Sequence, residues 1–193
     1  MKKLNKDNKG FSLVELLVVI AIMVVLVGVI APSLLSNIEK ARESKDVQAL
    51  DTIAGNIQAA MTNENVYDAI LAKGSFDLKA AYEGTALTGA TGVDAAVVTD
   101  ANTKLAVSLN DALNVSAVYT GASFDTATNK ATSVGNIKLL EGKKAKSAVT
   151  AATGASSIFV VIDTSTGSVT VKVATAATAD ALEGKSVKYE VKR

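Results

Sequence analysis

One acidic side chain inside an apolar segment is the residue near the start of the chain best suited to chemistry. Glu15 is the only charged residue between positions 11 and 35, and positions 16–31 carry no charge at all. A carboxylate in a low-dielectric environment either takes up a proton or pairs with a cation, so ionisable residues in such segments are rare and usually have partners. We therefore predict a functional role for Glu15. The alternative is an unpartnered glutamate at a lipid headgroup boundary.

The remaining composition offers little for catalysis. The chain has no histidine and no cysteine, which excludes histidine acid–base chemistry, cysteine nucleophiles and histidine or cysteine metal sites. Carboxylates are scattered singly, and neither a phosphate-binding glycine loop nor a nucleophile elbow is present. We expect a protein that is not an enzyme and that needs no cofactor or metal.

The apolar segment is long enough to cross a membrane. As a helix rising about 1.5 Å per residue, positions 11–35 span roughly 37 Å, against a hydrocarbon core of about 30 Å. Four lysines precede the segment, at positions 2, 3, 6 and 9, so the positive-inside rule places the N-terminus in the cytoplasm. A removable secretory signal peptide and an ordinary single-pass anchor are the simpler interpretations, but neither explains the glutamate.

The junction between the basic leader and the apolar segment resembles a known signal. Gly10-Phe-Ser-Leu-Val-Glu-Leu-Leu-Val-Val-Ile-Ala-Ile22 is similar to the class III signal peptide of type IV pilins and pseudopilins, and the resemblance covers about 35 residues. It implies that a prepilin peptidase cuts between Gly10 and Phe11, that Phe11 is then N-methylated, and that the apolar helix stays attached. The absence of cysteine favours a pilin of the Gram-positive type.

The resemblance also implies partners and a destination. Cleavage would create an amine on Phe11, and we expect Glu15 of one subunit to pair with the Phe11 amine of its neighbour and set the register of the filament. The expected partners are other pilin subunits in a homo-oligomeric filament, the prepilin peptidase, an assembly ATPase, a platform membrane protein, and a surface or host receptor. The subunit would occupy the cytoplasmic membrane before assembly and an extracellular pilus afterwards.

Three functions remain open from the sequence. The leading one is a structural pilus subunit that serves adhesion, motility, biofilm formation or DNA uptake. The second is a pseudopilin of a secretion or competence machine, and the third is a membrane-tethered binding or enzymatic module. Removing the leader leaves 16 basic and 18 acidic residues, so the mature chain has no basic excess of the kind that binds nucleic acid. A small lysine cluster at 143–146 fits a solvated loop.

The predicted organisation has four parts. A leader occupies 1–10, a membrane and filament-core helix 11–35, an amphipathic continuation 36–62, and a globular head 63–193. Gly28 and Pro32 predict a kink, because proline removes a backbone donor and crowds the carbonyl four residues earlier. In the continuation, apolar residues recur at three- and four-residue spacing between charged residues, among them Asp46 and Asp51.

The predicted fold class is α+β and type IV pilin-like, with a long N-terminal helix packed on a C-terminal antiparallel sheet of about four strands. Two shorter helices are predicted at 66–73 and 100–113, separated by a loop at 85–91. The apolar alternation predicts strands at the following positions: 116–119, 136–140, 157–163, 168–174 and 186–192. The turn residues at 164–167 predict a hairpin between the third and fourth of these.

Overall fold

The computed structural model describes residues 10–143, 158–174 and 187–193, and these form two units. One unit extends to Lys40 and the other runs from Ala41 to Arg193. A single helix, α1 (Leu13–Ala60), contributes to both. The predicted leader at 1–9 lies outside the described residues, as do Lys144 and Lys146 of the lysine cluster.

The described residues of the first unit are 10–12 and the part of α1 up to Lys40, most of which is apolar. Gly28 and Pro32 lie inside this helix, which continues through both positions without a break in its assignment. The kink at these residues therefore stays a prediction. Helix α1 ends at Ala60, two residues before the predicted boundary, and the backbone N–H of Thr62 donates to the carbonyl of Ala59 in the turn that follows.

The described part of the second unit contains four further helices. They are α2 (Glu64–Lys73), α3 (Leu78–Tyr82), α4 (Ala95–Ala112) and α5 (Val115–Val118). The helix predicted at 66–73 is confirmed as α2, which ends at Gly74 with a positive φ of 73°. The helix predicted at 100–113 is confirmed as α4, but it begins five residues earlier, where the Asp94 side chain accepts a hydrogen bond from the Ala96 N–H.

A four-stranded antiparallel sheet confirms the predicted fold class. Its strands, in the order in which they lie side by side, are β1 (Ser75–Asp77), β4 (Ile158–Ile162), β5 (Val169–Ala174) and β6 (Val187–Lys192). The predicted hairpin joins β4 to β5, with Val160 opposite Val171. Its turn is closed by Gly167, whose φ of 69° suits glycine and whose N–H donates to the Asp163 carbonyl.

Two predicted strands were wrong. Residues 116–119 fall largely in helix α5, because the Asn114 side chain accepts from the Ser116 N–H and starts a helical turn that buries Val115 and Val118. Residues 136–140 form no strand beyond a single bridge between Tyr119 and Ile137. The fourth strand of the sheet is instead β1, which the sequence interpretation missed.

A second, two-stranded hairpin was also missed. It pairs β2 (Ser123–Asp125) with β3 (Lys130–Thr132). Each strand has only three residues, too few for alternation to be recognised. The turn between them is ordered by Asp125, whose carboxylate accepts hydrogen bonds from the Ala127 N–H and the Thr128 hydroxyl.

The core of the second unit lies between the C-terminal part of α1, the sheet and the shorter helices. Leu50, Ile53, Ala54 and Ile57 form the buried stripe of α1, as the three- and four-residue spacing predicts. Their partners in the core include Tyr82 and Tyr119, Leu105 and Leu109 of α4, and the inward-facing residues of β4 and β5. The core thus fixes the C-terminal part of α1 against the sheet.

Candidate functional site

The predicted processing site immediately precedes α1. Gly10, Phe11 and Ser12 have no helical or strand assignment, and all three are exposed. The Phe11 side chain is 92% exposed. A protease must bind backbone that is accessible and free of regular secondary structure, and the peptide bond between Gly10 and Phe11 meets both conditions.

Ser12 and Glu15 together cap the first turn of α1. The Ser12 N–H donates to Glu15 Oε2 at 2.9 Å, and the Val14 N–H donates to the Ser12 hydroxyl oxygen at 3.4 Å. The Glu15 contact is the one that a capping box makes, in which the glutamate at the third helical position accepts from the N-cap N–H, while the serine hydroxyl here accepts from the second position. The Ser-x-x-Glu spacing was available in the sequence, but the sequence interpretation did not use it.

The position of Glu15 also suits its charge. It is the acidic residue of the first turn, where the unpaired N–H groups give the helix a partial positive charge that favours a carboxylate. The carboxylate is exposed on the surface of the helix. Glu15 is therefore held near the predicted cut by a contact within its own chain, and its predicted pairing with the amine of a neighbouring subunit stays a prediction.

The helix that follows presents apolar side chains to its surroundings on every face. The successive residues Val24, Val25 and Leu26, which point about 100° apart around the helix, are 71, 67 and 54% exposed. By length and composition α1 could cross a membrane, and its most apolar stretch is not buried within the chain. A helix that is apolar all round requires either lipid or other apolar helices around it.

A buried aspartate anchors the second unit to its helix. Asp46 is fully buried, and its two carboxylate oxygens accept hydrogen bonds from the N–H groups of Glu141 and Gly142, each at 2.8 Å. Next to it, Lys45 Nζ lies 3.1 Å from Glu141 Oε1. The sequence interpretation counts Asp46 among the charged residues of the amphipathic helix. The side chain is buried instead because the two backbone N–H groups satisfy its carboxylate.

Asp100 makes structural contacts between two helices of the head. Asp100 on α4 accepts from Asn65 of α2 at 2.7 Å and lies 2.6 Å from Lys104 Nζ. Hydrogen bonds from Lys104 and then Asn65 hold the pKa of Asp100 below its usual value. Within residues 10–143, 158–174 and 187–193, no three or more acidic side chains gather in a group that could hold a metal ion.

Comparison with known proteins places the N-terminal segment in a defined class. Residues 5–31 match the family model of the prokaryotic N-terminal methylation motif. This motif is the class III signal peptide of type IV pilins. The match supports a type IV pilin-like protein made as a prepilin, a structural rather than enzymatic class, and it fits a membrane-anchored precursor. Neither the curated proteins nor the solved structures gave a match to this chain.

Proposed function

We propose that this protein is the structural subunit of a type IV pilus. A prepilin peptidase cuts it between Gly10 and Phe11, Phe11 is N-methylated, and the processed subunits assemble into a filament that serves adhesion, motility, biofilm formation or DNA uptake. The observation that carries the proposal is the methylation motif at 5–31, which overlaps the start of a helix whose apolar side chains are exposed on all faces.

Cleavage changes the charge next to the helix cap. Hydrolysis of the peptide bond before Phe11 turns its amide nitrogen into an amine, which remains protonatable after methylation. The new cation lies one residue before Ser12, whose N–H contacts the Glu15 carboxylate. Glu15 is already present before processing, so cleavage supplies the cation that can pair with it, within or between subunits.

Glu15 is well placed to select the register of assembly. Lipid tails are as apolar as leucine, so moving α1 from the membrane into a bundle of α1 helices gains little hydrophobic energy. Many apolar contacts of similar strength would therefore allow several axial offsets. A carboxylate and an amine attract strongly in low dielectric and are costly when separated, so the offset that pairs Glu15 with the neighbour's Phe11 amine is favoured.

The proposed assembly requires other proteins. These are the prepilin peptidase, a cytoplasmic assembly ATPase and a platform membrane protein. Before assembly the subunit spans the cytoplasmic membrane with its N-terminus inside, and afterwards it is part of an extracellular filament whose heads meet a surface or host receptor.

Exchanging the N-terminal segment tests this proposal against a tethered module. Residues 1–35 would be replaced by an unrelated transmembrane helix with a basic cytoplasmic flank, and surface filaments would be examined by electron microscopy with antibody to the head. The pilin function predicts membrane-bound heads and no filaments. If cells that carry only this chimera keep normal adhesion, motility, biofilm formation or DNA uptake, the helix is only an anchor.

A pseudopilin is the second candidate function, because the same motif and helix occur in that class. Abundance distinguishes the two, since a pilus requires many copies of its main subunit. Quantitative immunoblotting of sheared surface material should find this protein as the principal component of the filaments. A few copies per cell, together with loss of secretion or competence on deletion, would identify a pseudopilin.

A further inference from the structure

Arg193, the residue after β6, reaches across to helix α1. Its Nε lies 2.7 Å from Asp51 Oδ1, and its Nη2 donates to Asp51 Oδ2 at 2.7 Å. This two-bond geometry is the strongest arrangement available to an arginine and a carboxylate. The Arg193 backbone is fixed as well, because its N–H and carbonyl exchange hydrogen bonds with Val169 at 2.8 and 2.9 Å.

Gly55 provides the space for this contact. It lies one turn after Asp51 on α1, and a Cβ at this position would come within 2.9 Å of Arg193 Nη1. Glycine in a helix interior lowers helix stability relative to alanine. The guanidinium therefore lies so close to the helix that an alanine at position 55 would force it to shift.

Among the strands that the structure describes, β6 lies at the edge of the sheet. In the sheet order it stands at one end, paired with β5 alone. The β5–β6 register shifts between Val173 and Ala174, so the ladder is irregular at the end far from Arg193. The chain contains no cysteine that could close this segment covalently.

We propose that Asp51, Gly55 and Arg193 form a clasp that fastens β6 to helix α1 and keeps the sheet closed on the helix when a filament is pulled. The fastening itself follows from the contacts above, and its role under tension rests on the proposed pilus function. Tension reaches the head through α1, because this helix is the covalent connection to the apolar segment. An edge strand tied to that helix resists peeling better than one held by a single neighbour.

Hydrogen exchange on the full chain in detergent micelles tests the clasp without requiring filaments. Arg193→Ala and Asp51→Asn should each speed amide exchange in 187–193 by about two- to fivefold, the range for a partly exposed ion pair. The double variant should be no faster than either single variant, because both remove the same contact. Unchanged exchange in both single variants, or effects that add, would overturn the clasp.

The Lys172–Glu190 pair is a matched control. It links β5 to β6 at 3.6 Å and does not involve α1. Glu190→Gln should leave the exchange of residues around Asp51 unchanged, whereas Arg193→Ala should increase it. If both variants change exchange at Asp51 equally, the link between β6 and the helix is not specific to Arg193.

Gly55→Ala gives an independent test that leaves every charge in place. In the native background the added methyl displaces the guanidinium, so exchange in 187–193 should rise even though alanine favours the helix. In the Arg193→Ala background the methyl meets no guanidinium, and the same change should leave exchange in 187–193 unaltered. A rise of equal size in both backgrounds would contradict the proposed role of Gly55.

The role under tension is measured on filaments. Sheared filaments of Arg193→Ala should release fragments or lose head epitopes at lower shear than native filaments, with Glu190→Gln as the control. Equal shear resistance, despite faster exchange in micelles, would refute the mechanical role and retain the clasp. Failure of the native chain to form filaments would refute the pilus function, and the exchange data would still decide the clasp.

Discussion

The backbone nitrogen of Ser12 lies 2.9 Å from the Glu15 carboxylate, at the start of the apolar helix and within two residues of the predicted cleavage site. The same carboxylate that we propose pairs subunits in a filament therefore already stabilises the helix of its own chain. The Ser12 N–H is its partner within the single chain, and the Phe11 amine of a neighbour is its proposed partner in the filament.

Replacing Glu15 by leucine should separate processing from assembly. The Glu15→Leu chain keeps Gly10 and Phe11 exposed and should still be cut, but it has no carboxylate to pair with the neighbour's amine. We expect cleaved subunits that accumulate in the membrane and no filaments, measured by intact mass and by sedimentation of sheared material. Glu15→Gln is the matched control for the cap, because its amide oxygen can still accept from Ser12. It should also fail to assemble, and normal filaments from either variant would contradict the pairing.

Removing the serine cap should weaken the first turn of α1. Ser12→Ala deletes the acceptor of the Val14 N–H, and loss of an N-cap side chain costs about 1 kcal/mol. Amide exchange at residues 13–16 in micelles should therefore be faster by about fivefold, a factor that corresponds to this energy at 25 °C. Ser12→Thr retains a capping hydroxyl and should exchange nearly as slowly as the native chain. Equal exchange in all three proteins would show that the cap contributes nothing.

Truncating the buried aspartate should destabilise the head. Asp46→Ala leaves the N–H groups of the exposed Glu141 and the buried Gly142 without their acceptor, and an unsatisfied buried donor costs about 1–3 kcal/mol. We expect the free energy of unfolding to fall by about 1–3 kcal/mol, measured by urea denaturation in detergent.

The exposed Asp68 of α2 provides the control for this experiment. Asp68→Ala should change the free energy of unfolding by less than about 0.5 kcal/mol, as is usual for a surface substitution. If Asp46→Ala is equally mild, the buried carboxylate does not anchor the segment at 141–142.

Acid should open the contact between Asp51 and Arg193. The hydrogen bond from Arg193, followed by the attraction of its charge, holds the pKa of Asp51 below its usual value of 3.8. A carboxyl group whose pKa is lowered by folding adds stability above its unfolded-state pKa, and that stability is lost as the pH falls through the folded-state pKa. The stability difference between the native chain and Asp51→Asn should therefore be largest near neutral pH and vanish in acid. A difference that grows on acidification would contradict the assigned ion pair.

The long helix and the central hairpin could be predicted from the sequence because their signals are strong and local. The apolar run, the stripe of Leu50, Ile53 and Ile57, and the alternating valines of β5 each repeat with the period of their element. The cleavage motif is equally local, since its residues are contiguous. Strand β1 could not be found in this way, because three residues are too few to show a period.

The features that could not be predicted from the sequence depend on contacts between residues that are distant along the chain. Asp46 reads as a surface charge until the backbone at 141–142 is folded against it, and Asp51 meets Arg193 across 142 residues of sequence. The segment at 116–119 contains β-branched and aromatic residues that favour a strand, but the Asn114 cap and the burial of Val115 and Val118 make it a helix. The spacing of apolar residues in a short stretch of sequence does not reveal such long-range contacts.

The most direct test of the pilin function is the intact mass and N-terminal residue of the protein sheared from the cell surface. We predict that it sediments as filaments and begins at N-methylated Phe11, which would establish processing, export and assembly in one measurement. A chain that begins at Met1 and stays in the membrane fraction, in cells with an active prepilin peptidase, would contradict the account. A cut near Ala31 would instead identify the apolar segment as a discarded signal peptide.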